Sequence, residues 1–295
     1  MLYVTYPLNA LLMIALPIGL GVWLAERLGQ KWGLFGIGAI TFVASQVVHI
    51  PLNIGLTALF AQNLLPQPPE TWVWWFNPVV LGLTAGLCEE SARYAVYRWW
   101  IKSARTWRQA LMFGAGHGGV EAILLGVSVA VAFVTFYFLQ RGGANLSIVP
   151  PEQQAALAGQ LAAYWSAPWP ASLLGAVERA FALCVHLSLA VIVLQAVARR
   201  NPLWLAGAIL WHAAVNAVAL MVLPVWGAYW TEAVIGVFAL AGIGIVFALR
   251  ETPAAPAPAP PTQRPPPTLP VDAPAPDPEA EMRRRLEETR YEKGN

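Results

Sequence analysis

Apolar residues run along this chain in long blocks instead of in short alternations. Seven blocks reach the length of about 20 mainly apolar residues that a membrane-crossing helix requires. They cover roughly 2–24, 34–60, 74–96, 110–139, 171–198, 203–223 and 233–249. The pattern predicts an all-α, polytopic bundle of about seven spans over residues 1–250. The first block lacks a basic leader and an Ala-x-Ala-like site, so it reads as a retained span and not as a cleaved signal. Between the fourth and fifth spans, Pro150 and Pro151 introduce an Ala-rich stretch, 152–164, expected as a short helix on the membrane. Residues 252–278 hold twelve prolines with interspersed alanines, so 251–278 is expected to be an extended, disordered linker that packs no core. Beyond it, 279–295 places mixed charge at helical spacing, which predicts a charged tail helix open to an unknown partner.

Basic residues orient the bundle. Arg27, Lys31, Arg98, Lys102, Arg105, Arg108, Arg199, Arg200 and Arg250 follow the odd-numbered spans, and the other connections carry only Arg141. The positive-inside rule then puts the N-terminus outside and the C-terminus in the cytoplasm, as expected for a multi-pass protein of the cell membrane. Composition agrees: 57% of the 295 residues are hydrophobic and 12% charged, against about 25% charged in soluble domains. A net charge of +2 without a basic patch argues against nucleic acid as a partner. Cys88 and Cys184 lie inside apolar runs and read as small packing residues.

Against this background the polar residues inside the spans stand out, since each ionisable group there costs about 2.5 to 3.5 kcal/mol on insertion scales and marks function or pairing. They are Glu89, Glu90, Arg93, His117, Glu121, Glu178, Arg179, His186, His212 and Asn216; His49 reads as a hydrogen-bonded packing residue. Residues three or four apart share a helix face, so Arg93 can reach either neighbouring glutamate and fix one of them. His117 and Glu121 form one stripe, His212 and Asn216 another. The glycines at 114, 116, 118 and 119 leave a bare surface for a neighbouring helix or an extended peptide. At 1.5 Å per residue, Glu89, His117 and His212 lie at one depth, roughly 14 Å from the cytoplasmic boundary, and His186 levels with Glu121 at roughly 20 Å. Glu178 and Arg179 sit higher, as supporting groups.

Such a cluster permits two forms of amide hydrolysis. In one, Glu89 or Glu90 takes a proton from water while a histidine and Asn216 donate to the oxyanion. In the other, His117, His186 and His212 hold a zinc ion, with a glutamate as base. A proton or metal transporter, and a non-catalytic scaffold, would use the same residues. Gly-x-Ser-x-Gly, His-Glu-x-x-His and P-loop motifs are missing.

Glu-Glu-x-x-Arg at 89–93, Gly-x-Gly-His-Gly-Gly-x-Glu-Ala at 114–122, Glu-Arg followed by His186, and His-x-x-x-Asn at 212–216 resemble the YhfC family of intramembrane peptidases, related to PrsW and to the CAAX-protease and bacteriocin-processing enzymes. The resemblance spans about 81–220. It implies a peptidase acting on membrane-embedded or membrane-proximal peptides. Glu89 and Glu90 would activate water, Phe113 and His117 would match Phe-x-x-x-His, and His186, His212 and Asn216 would complete the site, with zinc as the cofactor if a metal is used. Arg93 comes one position earlier than in the CAAX-protease pattern, so prenylated substrates are not implied.

Overall fold

In the computed structural model, residues 1–142, 150–250 and 277–291 are described. All regular structure among them is helical. The helices are α1 (Leu2–Leu28), α2 (Trp32–Ala61), α3 (Val73–Ala95), α4 (Trp107–Gln140), α5 (Pro151–Ser166), α6 (Leu174–Ala198), α7 (Leu203–Trp226), α8 (Ala228–Ala248) and α9 (Pro278–Tyr291).

Local sequence explains the breaks. Gly29 ends α1 in the left-handed conformation at φ 65°, its N–H on the Leu24 carbonyl, a conformation that glycine adopts without a Cβ penalty. Thr106 opens α4 with a capping box: its hydroxyl accepts from the Gln109 N–H, and the Gln109 side chain accepts from the Thr106 N–H. A π-helical turn, Val96–Trp100, closes α3, and Arg105 covers the freed carbonyls of Tyr97, Ile101 and Ala104.

Among the described residues six helices, α1, α2, α4, α6 with the turn before it, α7 and α8, are long and apolar enough to cross a membrane. Seven spans were expected. The difference is α3, 23 residues long, whose Asn77, Glu89, Glu90 and Arg93 lower its hydropathy. It lies against α2, α6 and α7, so its polar face meets protein. Large apolar side chains cover the outside: Val47, Leu203 and Leu240 are each 70% exposed or more. Water would disfavour that surface and lipid accepts it, and the chain is a multi-pass membrane protein.

Small residues bring the helices together where the polar groups lie. Gly82 and Gly86 face the backbone of α7 so closely that a Cβ would sit 2.5 Å from the Ala213 carbonyl oxygen and 2.6 Å from that of Ile209. Gly116 meets the Phe35 backbone of α2, and a Cβ on Gly118 would lie 2.6 Å from the His186 ring of α6. The bare glycine surface of α4 is therefore filled by α2 and α6, and no peptide has room on it. The first half of α4 is consequently buried, with Met112, Phe113 and His117 sealed from solvent.

The chain divides into a unit of residues 1–251 and a second unit of 252–295. In the second, α9 carries i,i+4 ion pairs, Arg284 to Glu288 at 3.8 Å and Arg285 to Glu281 at 3.5 Å, within the segment expected to be helical. The proline-rich stretch 251–276 lies outside the described residues. The Ala-rich segment after Pro150 is α5, as its composition predicts.

Candidate active site

Five helices contribute to one buried polar network. From α3 come Glu89, Glu90 and Arg93; from α4, His117 and Glu121; from α6, Glu178, Arg179 and His186; from α7, His212, with Asn216 on the adjoining cavity wall; and from α2, Gln46 and His49. Glu90, Arg93 and His117 are fully buried, and Glu89, His186 and His212 nearly so. Glu89, His117 and His212, expected at one depth, do come together around the glutamate pair.

The two adjacent glutamates are held differently. Glu90 makes a short ion pair with Arg93 and accepts from Nδ1 of His212 at 2.7 Å. Glu89 stands 3.9 Å from the Arg93 guanidinium, accepts from Nε2 of His117 at 3.1 Å and from the Gln46 amide at 3.2 Å. Arg93 does fix one glutamate, and it is Glu90. Glu89 instead lines a cavity of about 100 Å³, shared with Glu121, His186, His212 and Asn216. A water needs at least about 10–15 Å³ on that measure and two or more polar partners, so several waters fit.

Hydrogen-bond roles fix the imidazoles. Arg93 is donor-only, so Nδ1 of His186 accepts from it at 2.6 Å, and Nε2 donates to Glu121 at 2.7 Å. Arg179 in turn donates to Glu121 at 2.8 Å and binds Glu178 through two nitrogens. Guanidinium and carboxylate thus alternate along this flank, so each charge buried away from water has an opposite partner. His212, donating through Nδ1, leaves Nε2 for the cavity.

Two groups of three residues have ligand atoms within 4.8 Å of one another: Glu89, His117 and His186, and Glu89, Glu90 and His212. Nδ1 of His117 and Oε2 of Glu90 are buried without a hydrogen-bond partner among the described residues. Imidazole and carboxylate are the donors zinc takes, and lone pairs left open in a dry interior are what an ion would satisfy. The residues fit such a metal. The groupings differ from the all-histidine set expected: Glu89 belongs to both, and the histidines divide between them.

Several participants were not singled out from the sequence. Gln46 touches Glu89, and His49, read as a packing residue, bonds Gln46 at 3.1 Å and Asn53 at 2.9 Å. Gln46, His49 and Asn53 recur on one face of an apolar helix, and that spacing was the available signal. Glu232, just before the start expected for the last span, places a buried Oε2 without a hydrogen-bond partner among the described residues in α8, on the helix whose Ile235 also lines the cavity.

Comparison with known proteins agrees with the motifs. The family described as YhfC intramembrane metalloprotease matches residues 12–239. The chain is similar to the uncharacterized membrane protein YhfC of Bacillus subtilis (strain 168), 34% identical over 220 residues that cover 72% of this chain and 82% of the relative. No solved structure shows significant similarity. With the match running from the first span into the last and enclosing every residue of the buried network, the chain belongs to the YhfC intramembrane metalloprotease family.

Proposed function

We propose that the protein is an intramembrane endopeptidase that hydrolyses peptide bonds of membrane-embedded or membrane-proximal substrates with water activated by Glu89. One observation carries the reading: Glu89 is the glutamate of the buried pair that lines a cavity roomy enough for water, while its neighbour Glu90 is tied to Arg93 and His212. A general base must reach the proton it removes, and Glu89 is the glutamate of the pair with that access.

His117 and Gln46 hold the Glu89 carboxylate from two sides, leaving it to accept a proton from a water in the cavity. The water oxygen attacks the carbonyl carbon, and Asn216, on the cavity wall, donates its amide N–H to the oxyanion. Glu89 then passes the proton to the departing amine as the C–N bond breaks. Glu90 orients the His212 ring through Nδ1, the role carboxylates play behind catalytic or metal-ligating histidines. Glu89, His117 and His186, or Glu89, Glu90 and His212, are the residues that would hold a zinc ion. When bound, such an ion supplies Lewis acidity, making water a better acid and the carbonyl a better electrophile.

The test is cleavage of a panel of fluorogenic membrane-peptide reporters by detergent-purified protein, before and after chelation and zinc add-back, beside His212→Ala. The reading expects cleavage by the wild type and loss in the variant, with activity lost on chelation and restored by zinc where a metal is used. Products identical for the wild type and His212→Ala would reject it.

A further inference from the structure

Between α2 and α3 lies a second cavity, of about 380 Å³, whose wall includes Asn53, Thr57, Phe76, Asn77 and Val80. Among the described residues, no Asp, Glu, Lys or Arg lines it. It begins at Asn53, seven residues along α2 from Gln46, hence roughly 10 Å from the group that touches Glu89. An extended chain covers that distance in about three residues at 3.3 Å each.

The cavity is wired to the site. Asn53 donates through Nδ2 to Nε2 of His49 at 2.9 Å, with the Thr84 hydroxyl 3.5 Å from the same nitrogen. Nδ1 of His49 donates to the Gln46 carbonyl oxygen at 3.1 Å, and the Gln46 amide donates to Oε1 of Glu89 at 3.2 Å. Every donor in the chain points toward Glu89. At its far end Oδ1 of Asn53 is buried and has no hydrogen-bond partner among the described residues.

We infer that this cleft is a subsite that receives an uncharged, extended segment of the peptide substrate, about three residues from the bond cut, with Oδ1 of Asn53 accepting a substrate backbone N–H; the inference rests on the peptidase reading. An extended peptide inside a bilayer exposes N–H and C=O groups that find no water, each unsatisfied group costing several kcal/mol. Side-chain amides offer both a donor and an acceptor, the complement of a peptide group. A lipid acyl chain would leave the Asn53 acceptor unmet, and a charged segment would find no counter-ion. Binding there also polarises the Asn53 amide and, through His49 and Gln46, strengthens the hold on Glu89, coupling occupancy to the alignment of the base.

The experiment uses full-length protein in lipid nanodiscs, with a photoreactive benzoylphenylalanine at Leu56 or Val80 in the cleft or, as control, at Leu240 on the lipid face of α8. The probe is a rhodamine-labelled Leu/Ala peptide of about 20 residues with a central Gly-Gly pair that loosens its helix. The inference expects peptide adducts at Leu56 and Val80 in at least fivefold excess over Leu240, competed by unlabelled peptide, and reduced roughly three- to tenfold by Asn53→Leu or Asn77→Leu, the size of one lost hydrogen bond. For a cleaved peptide those variants raise KM, while His49→Ala lowers kcat. Equal adducts at all three positions, or adducts with nanodisc lipid that peptide does not displace, would overturn it. Cleavage by the wild type without cleft adducts sinks the subsite and leaves the peptidase standing. Cleft adducts without any cleavage sink the peptidase and leave a peptide-binding cleft.

Discussion

Each flank of the buried network pairs glutamate with histidine, and the two hold them in opposite ways. On the α6 flank, Arg93 and Arg179 alternate with Glu90, Glu121 and Glu178, and His186 is bonded through both ring nitrogens. On the α2 flank, Glu89 is held by the neutral side chain of Gln46 and by His117, with its nearest guanidinium at 3.9 Å. The first flank resembles a frame, in which every acid has a fixed counter-ion. The second leaves an acid facing the cavity. Adjacent glutamates on one helix therefore separate into a structural group and a reactive one. What separates them is the helical rotation between consecutive residues, which turns Glu90 toward Arg93 and His212 and Glu89 toward α2 and the cavity.

Breaking the frame has the largest expected effect. Arg93→Ala leaves Glu90 as an uncompensated buried charge and removes the donor to His186, a loss of about 3–5 kcal/mol, read as a collapse of the detergent melting temperature. Next comes Glu90→Gln, which weakens the pair with Arg93 and the His212 bond. A destabilisation of about 1–3 kcal/mol is expected, and thermal unfolding compared with that of Glu89→Gln sharpens the contrast, because the glutamine at 89 keeps its Gln46 and His117 neighbours. Gly118→Ala drives a methyl into the His186 ring, an overpacking of about 1–3 kcal/mol that should lower reporter cleavage together with the melting temperature. The smallest change is expected from Glu178→Gln, at the partly exposed end of the frame, about 1 kcal/mol or less; a melting-temperature shift as large as that of Arg93→Ala would show that the frame is not centred on Arg93.

Much of this was legible in the sequence, for physical reasons particular to membranes. Apolar length fixes helices wherever lipid is the solvent, so the long blocks became α1, α2, α4, α6, α7 and α8. Charge inside such blocks is expensive, so Glu89, Glu90, Arg93, His117, His186 and His212 announced themselves and lie together. What stayed hidden were contacts that depend on rotation about a helix axis or on neutral amides. Which glutamate Arg93 takes depends on side-chain reach at i,i+3 against i,i+4, and both spacings were present. Gln46 and Asn53 carry no charge and drew no attention, although His49 between them was visible. The glycines of α4 predicted close approach correctly but not its partner, because an empty surface admits a helix as readily as a peptide; Phe35 and His186 decide the matter.

The central claim, that Glu89 is the group that activates water, is tested most directly by the reporter cleavage rate of Glu89→Gln relative to wild type, on protein shown by thermal unfolding to be folded. The account predicts a fall of about two to four orders of magnitude, the range for losing a positioned general base, with the melting temperature nearly unchanged. Cleavage at the wild-type rate by folded Glu89→Gln would contradict it.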